Sequence, residues 1–133
     1  MTSLRLISSL PPDLEALATR TIGALLQVHR ELGSGMSESI YAAATRTELE
    51  LHGLPFESEK SIPVRYKSRL LGHQRVDLIV DGRLIVEIKS IDSLQPLHTA
   101  QVVSYLRLTG LRLGLLVNFN VLILKQGIRR VVR

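Results

Sequence analysis

Three ionisable residues stand where the sequence should hold none: Asp77, Glu87 and Lys89 lie inside Val76-Asp77-Leu78-Ile79-Val80 and Leu84-Ile85-Val86-Glu87-Ile88-Lys89. Val, Ile and Leu fill nearly all the other positions, so both runs read as central strands covered on both faces. An isolated carboxylate or ammonium in such a strand costs several kcal/mol or is driven to its neutral form. The three groups therefore need one another, a metal, or water in a cleft. Glu87 and Lys89 are two residues apart, hence on one face of their strand. Acidic oxygens that leave water positions open suit Mg²⁺ or Mn²⁺, and a lysine beside the ion can orient or help deprotonate a water. The same spacing also fits a plain ion pair at a strand end.

Whether Asp77 joins that face depends on the turn. Asp81-Gly82 between the runs is a hairpin signal. A two-residue loop pairs Val80 with Arg83 and Val76 with Glu87, which sends Asp77 to the opposite face. A three-residue loop with a left-handed Gly82 turns Asp77 toward Glu87 and Lys89. Convergence of the two acids thus requires an odd loop or a bulge near Gly82.

The elements around this hairpin follow from periodicity and punctuation. Pro12, with Asp13 and Glu15, opens a helix to Leu32 whose inner face is Leu14, Leu17, Thr21, Leu25, Val28 and Leu32, with Gly33 as its stop. His29, near its end, has no partner at metal-ligand spacing and reads as a surface or capping residue. Ser34-Gly35 precedes a second helix, Ser37 to His52, which Gly53 ends and whose first turn carries Glu38. Tyr41 lies one turn on, on the same side as Glu38. From Leu54 to Tyr66 the pattern is strand-like, with Pro63 pointing to an edge. Arg65, Lys67, Arg69, His73 and Arg75 form a basic run, with a turn expected at Gly72; it suits either a phosphate-contacting rim or a solvated hairpin edge.

A third helix is expected from Ser93 to Leu108, with Pro96 near its start and Gly110 behind it. His98, Gln101 and Tyr105 form a polar but uncharged stripe on it, better suited to a cleft wall than to open solvent. Leu111–Asn118 and Val121–Lys125 read as two further strands, and Ile128–Arg133 as a final basic one.

Composition bounds the function. The 133 residues are 45% hydrophobic, enough for one domain with a sizeable core; residues 1–11 form a short N-terminal segment. Absence of Cys excludes disulfides, thiolate zinc sites and cysteine-bound iron–sulfur clusters, and fits a cytoplasmic setting. No apolar run approaches the roughly 20 residues that span a bilayer, so no membrane association is expected. Seventeen Lys and Arg against twelve Asp and Glu give a net charge of +5, which favours a polyanionic partner.

These residues carry a resemblance. Gly35-Met36-Ser37-Glu38-Ser39-Ile40-Tyr41 resembles the signature of the bacterial GxxExxY protein family, placed in the PD-(D/E)XK nuclease superfamily near RecB-type exonucleases. Asp77 followed by Glu87-Ile88-Lys89 is similar to that superfamily's Asp…Glu-x-Lys core, with Val76 in place of its Pro. Gln101-Val102-Val103-Ser104-Tyr105 resembles the Gln-x-x-x-Tyr element of the RecB-type branch, and Thr109 to Phe119 also looks like the family's. The likeness covers about Ile22 to Val132.

It implies an α/β, restriction-endonuclease-like core of helix, three-stranded meander, helix and further strand, with an additional N-terminal helix. It also implies Asp77, Glu87 and Glu38 as metal-reaching acids for Mg²⁺ or Mn²⁺, Lys89 as the water-orienting lysine, and Gln101 and Tyr105 as supporting or substrate-contacting groups. Arg65, Lys67, Arg69 and Arg75 are the candidates for holding nucleic acid. The expected activity is metal-dependent hydrolysis of nucleic acid, DNA ahead of RNA, with self-association open. The alternative is a non-catalytic nucleic-acid-binding or assembly module on the same fold.

Overall fold

The computed structural model describes residues 9–133; most of the N-terminal segment 1–11 lies outside the described residues. Two helices come first, α1 (Pro12–Leu32) and α2 (Glu38–Leu51), followed by β1 (Phe56–Tyr66), β2 (Arg69–Val80), β3 (Leu84–Lys89), α3 (Pro96–Thr109), β4 (Leu113–Asn118) and β5 (Ile128–Val132). The strands form one mixed sheet in the order β1-β2-β3-β4-β5. β3 and β4 run parallel, joined by the α3 crossover, and the other neighbours are antiparallel. This is the expected helix, meander, helix, strand core, with α1 added before it and β5 closing the far edge.

The sheet is covered on both faces, which explains the unbroken apolar runs in β3 and β4. On one face Leu78, Val86, Ile88, Leu115 and Val117 pack against Leu17, Leu25 and Val28 of α1 and Tyr41 and Leu49 of α2. On the other, Ile79, Ile85 and Leu116 pack against Val102, Tyr105 and Leu106 of α3. β3 and β4 are the most enclosed strands, with five of six and six of six residues buried.

The start of α2 is held in place by its own signature. Gly35 adopts φ +97°, a left-handed conformation suited to glycine. Tyr41 is fully buried and stacks on Phe119 with ring centres 4.5 Å apart. Its hydroxyl donates to the Gly33 carbonyl at 2.5 Å and accepts from the Met36 N–H at 3.2 Å. Ser90, just past β3, donates to the Met36 carbonyl at 2.6 Å. The α1–α2 loop is therefore tied to the end of the central strand, and Ser37 caps the helix that begins with Glu38.

Several local expectations need correction. The hairpin turn between β1 and β2 is at Lys67-Ser68, not Gly72: both residues have positive φ, Tyr66 pairs with Arg69, and Gly72 sits within β2 opposite Val64. Val121–Lys125 is not a strand. The side of β4 away from β3 is already paired with β5, so this stretch has no ladder partner, and it forms bends leading into a short 3₁₀ turn, Leu124–Gly127, with Leu122 and Ile123 exposed. α3 begins at Pro96 rather than Ser93, because the proline occupies the first turn behind a Gln95–His98 capping box. His29 is half-buried, its Nε2 lying 2.8 Å from the Val121 carbonyl, where it holds this loop rather than a metal.

α3 packs tightly against the sheet at Gly114. A Cβ there would lie 2.6 Å from Val102 Cγ1, so the helix that carries Gln101 and Tyr105 sits as low as it does because β4 has a glycine beneath it. Gly114→Ala is expected to cost about 1–3 kcal/mol of stability as overpacking. Adding Val102→Ala should recover part of that loss. Urea unfolding of both variants and the double variant checks this, and strictly additive losses would show that the contact does not set the spacing.

Candidate active site

The central hairpin has the odd loop that convergence requires. Val80 pairs with Leu84, leaving Asp81, Gly82 and Arg83 in the loop. Asp81 as well as Gly82 is left-handed, at φ 52° and 66°. Aspartate is one of the few residues that visit this region readily, and the Asp81 N–H is held by the Pro55 carbonyl at 2.7 Å. Continuing the register one step beyond Leu78–Val86 sets Asp77 opposite Glu87, on the face covered by α3.

Asp77 is fixed by its backbone setting. Its Oδ2 accepts the Ile88 N–H at 2.8 Å, taking the place of a ladder bond where the strand pairing ends. Across on β1, the pairing passes from Ser58–Leu78 to Lys60–Val76 and skips Glu59, which has φ +51°. The sheet is thus irregular at the position of the acid, as at many functional sites.

Glu87 is 4% exposed, and its Oε1 is buried without a hydrogen-bond partner. Its Oε2 lies 3.4 Å from Lys89 Nζ. Burial, reinforced by the Asp77 carboxylate and only partly offset by Lys89, raises its pKa to about 7. Tyr105 reaches the same point from α3: burial and the two carboxylates push its phenol up to about 12, against a hydrogen bond from Gln101 that lowers it. The phenol is neutral at ordinary pH and can act as a donor.

The remaining sequence candidates divide. Glu38 shares a cavity of about 240 Å³ with Asp77, Glu59, Arg75 and Ile88, so α2 does bring its first turn over the strands, but Glu87 does not line that space. Lys89 opens on a second cavity, about 350 Å³, with His98, Gln101 and Ser104. Arg75 is part of the Glu38 cavity and lies 3.8 Å from Glu59. Arg65, Lys67 and Arg69 are exposed at the far end of the β1–β2 ribbon, with Lys67 5.4 Å from the centre of the Tyr66 ring. The structure adds Ser104 and Arg107 to the α3 groups. Arg107 lies one turn beyond Ser104, in the i, i+3, i+6 row that begins at Gln101.

Among the described residues, no three His, Asp or Glu side chains are close enough to hold a metal ion. The donor set is the Asp77–Glu87 pair, and it fits a hard divalent cation: Mg²⁺ is commonly bound by one or two carboxylates and retained waters, and the unpartnered Glu87 Oε1 is an open donor.

A mixed α/β sheet that gathers two acids and a lysine on adjoining central strands, beside a helix that supplies an amide and a phenol, defines the class as a restriction-endonuclease-like fold. The chain belongs to the PD-(D/E)XK nuclease superfamily, whose profile matches residues 15–131. That membership carries nuclease chemistry on nucleic acid at the level of the superfamily. No curated protein and no solved structure matches the chain.

The acid pair has a pH signature. Glu87 holds its proton up to about pH 7 in the folded chain, against 4.5 as its ordinary value. Its contribution to stability without metal is therefore complete below about pH 4.5 and is lost as pH rises through about 7. In EDTA, Glu87→Gln should gain in Tm relative to the native chain across that window and hold a constant lead above it. A Tm difference that stays flat from pH 4 to pH 8 would show that burial does not penalise the carboxylate.

Proposed function

We propose that this protein is a Mg²⁺- or Mn²⁺-dependent nuclease that hydrolyses phosphodiester bonds of nucleic acid, with DNA ahead of RNA. The observation that carries this reading is the buried Glu87 carboxylate set against half-buried Asp77, which leaves one glutamate oxygen without a partner beside Lys89. Such a pair is costly in the protein alone and suited to a cation.

Asp77 and Glu87 hold the ion, whose chemistry when bound is to polarise the phosphate and to lower the pKa of a water. Lys89 orients the attacking water and faces the charge that builds on the phosphate oxygens. The water oxygen bonds to phosphorus as its proton passes to solvent, the ester P–O bond breaks, and the leaving oxygen takes up a proton from solvent. Glu38 adds a further acid from the α2 side of Asp77. Tyr105 donates a hydrogen bond toward the acids, oriented by Gln101. Arg75 and, farther along the ribbon, Arg65, Lys67 and Arg69 hold the phosphate backbone.

The nearer assignment to the bacterial GxxExxY family and the RecB-type branch belongs to the same proposal. It is supported by Gly35, Glu38 and Tyr41, which together set the start of α2, and by the Gln101–Tyr105 hydrogen bond. One domain, working in the cytoplasm, is the setting we favour; self-association is open. Among the described residues no helix is long and apolar enough to cross a membrane.

A non-catalytic nucleic-acid-binding module is the second reading, favoured by the Glu87–Lys89 ion pair, which partly compensates the buried acid without a metal. Two measurements separate them. Mg²⁺ or Mn²⁺ should raise Tm in the native chain and not in Asp77→Ala, since an ion that binds only the folded state stabilises it. Lys89→Ala should lower cleavage by about 10²–10³, as loss of a transition-state contact does, while nucleic-acid binding is largely kept. Single- and double-stranded DNA and RNA are assayed in parallel with an EDTA control. Tight binding with no metal-dependent cleavage of any of the four establishes the second reading.

A further inference from the structure

One cavity is lined by none of the acids. It has a volume of about 430 Å³ and lies between α3 and the β1–β2 ribbon, with Gln74 and Val64 on one wall and Gln101, Ser104, Arg107 and Leu108 on the other. Its volume is within the range of pockets that take small organic groups. Buried Tyr105 lines it as well, and Gln101 and Ser104 also line the space onto which Lys89 opens. The two cavities therefore adjoin along one side of α3.

The chemistry of the linings differs along this path. At one end stands the Lys89 ammonium beside the acids. In the middle and beyond, the groups are carboxamides and a hydroxyl that both donate and accept, flanked by the apolar surfaces of Val64 and Leu108. Arg107 is the only charged side chain of the larger cavity, and it is exposed. A phosphate backbone lying in this space would meet one cation and several neutral groups. A nucleobase would meet hydrogen-bonding partners for its edge and apolar contact for its face.

Resting on the nuclease reading, we infer that the cavity between α3 and the β1–β2 ribbon is a nucleobase subsite. It receives the base of one unstacked nucleotide whose phosphate lies toward Lys89, with Gln74 and Ser104 reading the base edge and Arg107 holding the next phosphate. Gln101, shared by both cavities, couples placement of the base to placement of the phosphate. Sequence preference at that one nucleotide would then be set by Gln74 and Ser104 rather than by the basic ribbon.

The test compares two polyanions of equal length, an oligothymidylate and its fully abasic counterpart, binding to the native chain in EDTA. The native chain is expected to prefer the oligothymidylate by about tenfold or more, since the abasic oligomer leaves the polar lining unmatched. Ser104→Phe, which fills the cavity from an exposed helix position, and Gln74→Ala should each reduce affinity for oligothymidylate toward that for the abasic oligomer. Arg107→Ala should weaken both oligomers alike. Retention of the Mn²⁺-induced rise in Tm by Ser104→Phe shows that the fold and the acid pair are intact. Equal binding of the two oligomers by the native chain, or a preference that survives Ser104→Phe, overturns the subsite. If the native chain cleaves nucleic acid yet shows no base preference, the subsite fails and the nuclease stands. A base preference without cleavage in any metal removes the nuclease and leaves a base-binding cavity.

Discussion

Burial of the Glu87 carboxylate next to Asp77 is the constraint on which the rest of the site depends. Glu87 is buried facing the half-buried Asp77 carboxylate, and the 3.4 Å contact with Lys89 offsets only part of that cost. The fold supports this local penalty with an extensive core. β3 is packed on both faces, by α1 and α2 on one side and by α3 on the other, and β4 lies alongside it in parallel register from Leu84–Leu113 to Lys89–Asn118. Strands this well held can keep carboxylates at a spacing they would not choose by themselves. The buried carboxylate is thus a local cost that the surrounding packing offsets.

The geometry of that pair was readable because the side-chain period of a strand is two. Asp77 and Glu87 share a face only if the loop between Val80 and Leu84 is odd, and the structure has three residues there. The helix boundaries of α1 and α2 were legible for a related reason: Pro12, Gly33, Ser37 and Gly53 each leave a local conformational mark. The turn at Lys67-Ser68 was not legible, because neither residue type favours the left-handed region, whereas Gly72 does and sits in a strand. Val121–Lys125 shows the opposite failure. Its residues have the composition of a strand, but a strand needs a neighbour with unpaired backbone groups, and β5 already pairs with that side of β4. Whether a partner edge is available is a property of the sheet, which no window of residues contains.

Glu38 illustrates a mixed case. Its place in the first turn of α2 follows from sequence, but its distance from the acids depends on a loop held by Tyr41, Gly33, Met36 and Ser90. That loop puts Glu38 in the cavity of Asp77 and not against Glu87. The Gly35-x-x-Glu38-x-x-Tyr41 stretch thus has a physical explanation in which the glycine and the tyrosine are structural and Glu38 faces the cavity of Asp77. The glycine allows the backbone to turn, and the tyrosine clamps the turn to the core through its ring and its hydroxyl.

The same division of labour holds on the α3 side. Gly114 lets the helix settle close to β4, Tyr105 reaches from its buried face toward the acids, and Gln101 stands where the buried face meets the two cavities. A helix seated one methyl group higher would lift the amide and the phenol together, leaving the acid pair on the strands unchanged. The acid pair and the amide and phenol of α3 therefore rest on different supports: the hairpin register for the first, the packing of α3 on β4 for the second. They meet at Lys89, the last residue of β3, whose ammonium touches Glu87 and lines the cavity of Gln101. Lys89 is the residue at which a shift in either support would be felt.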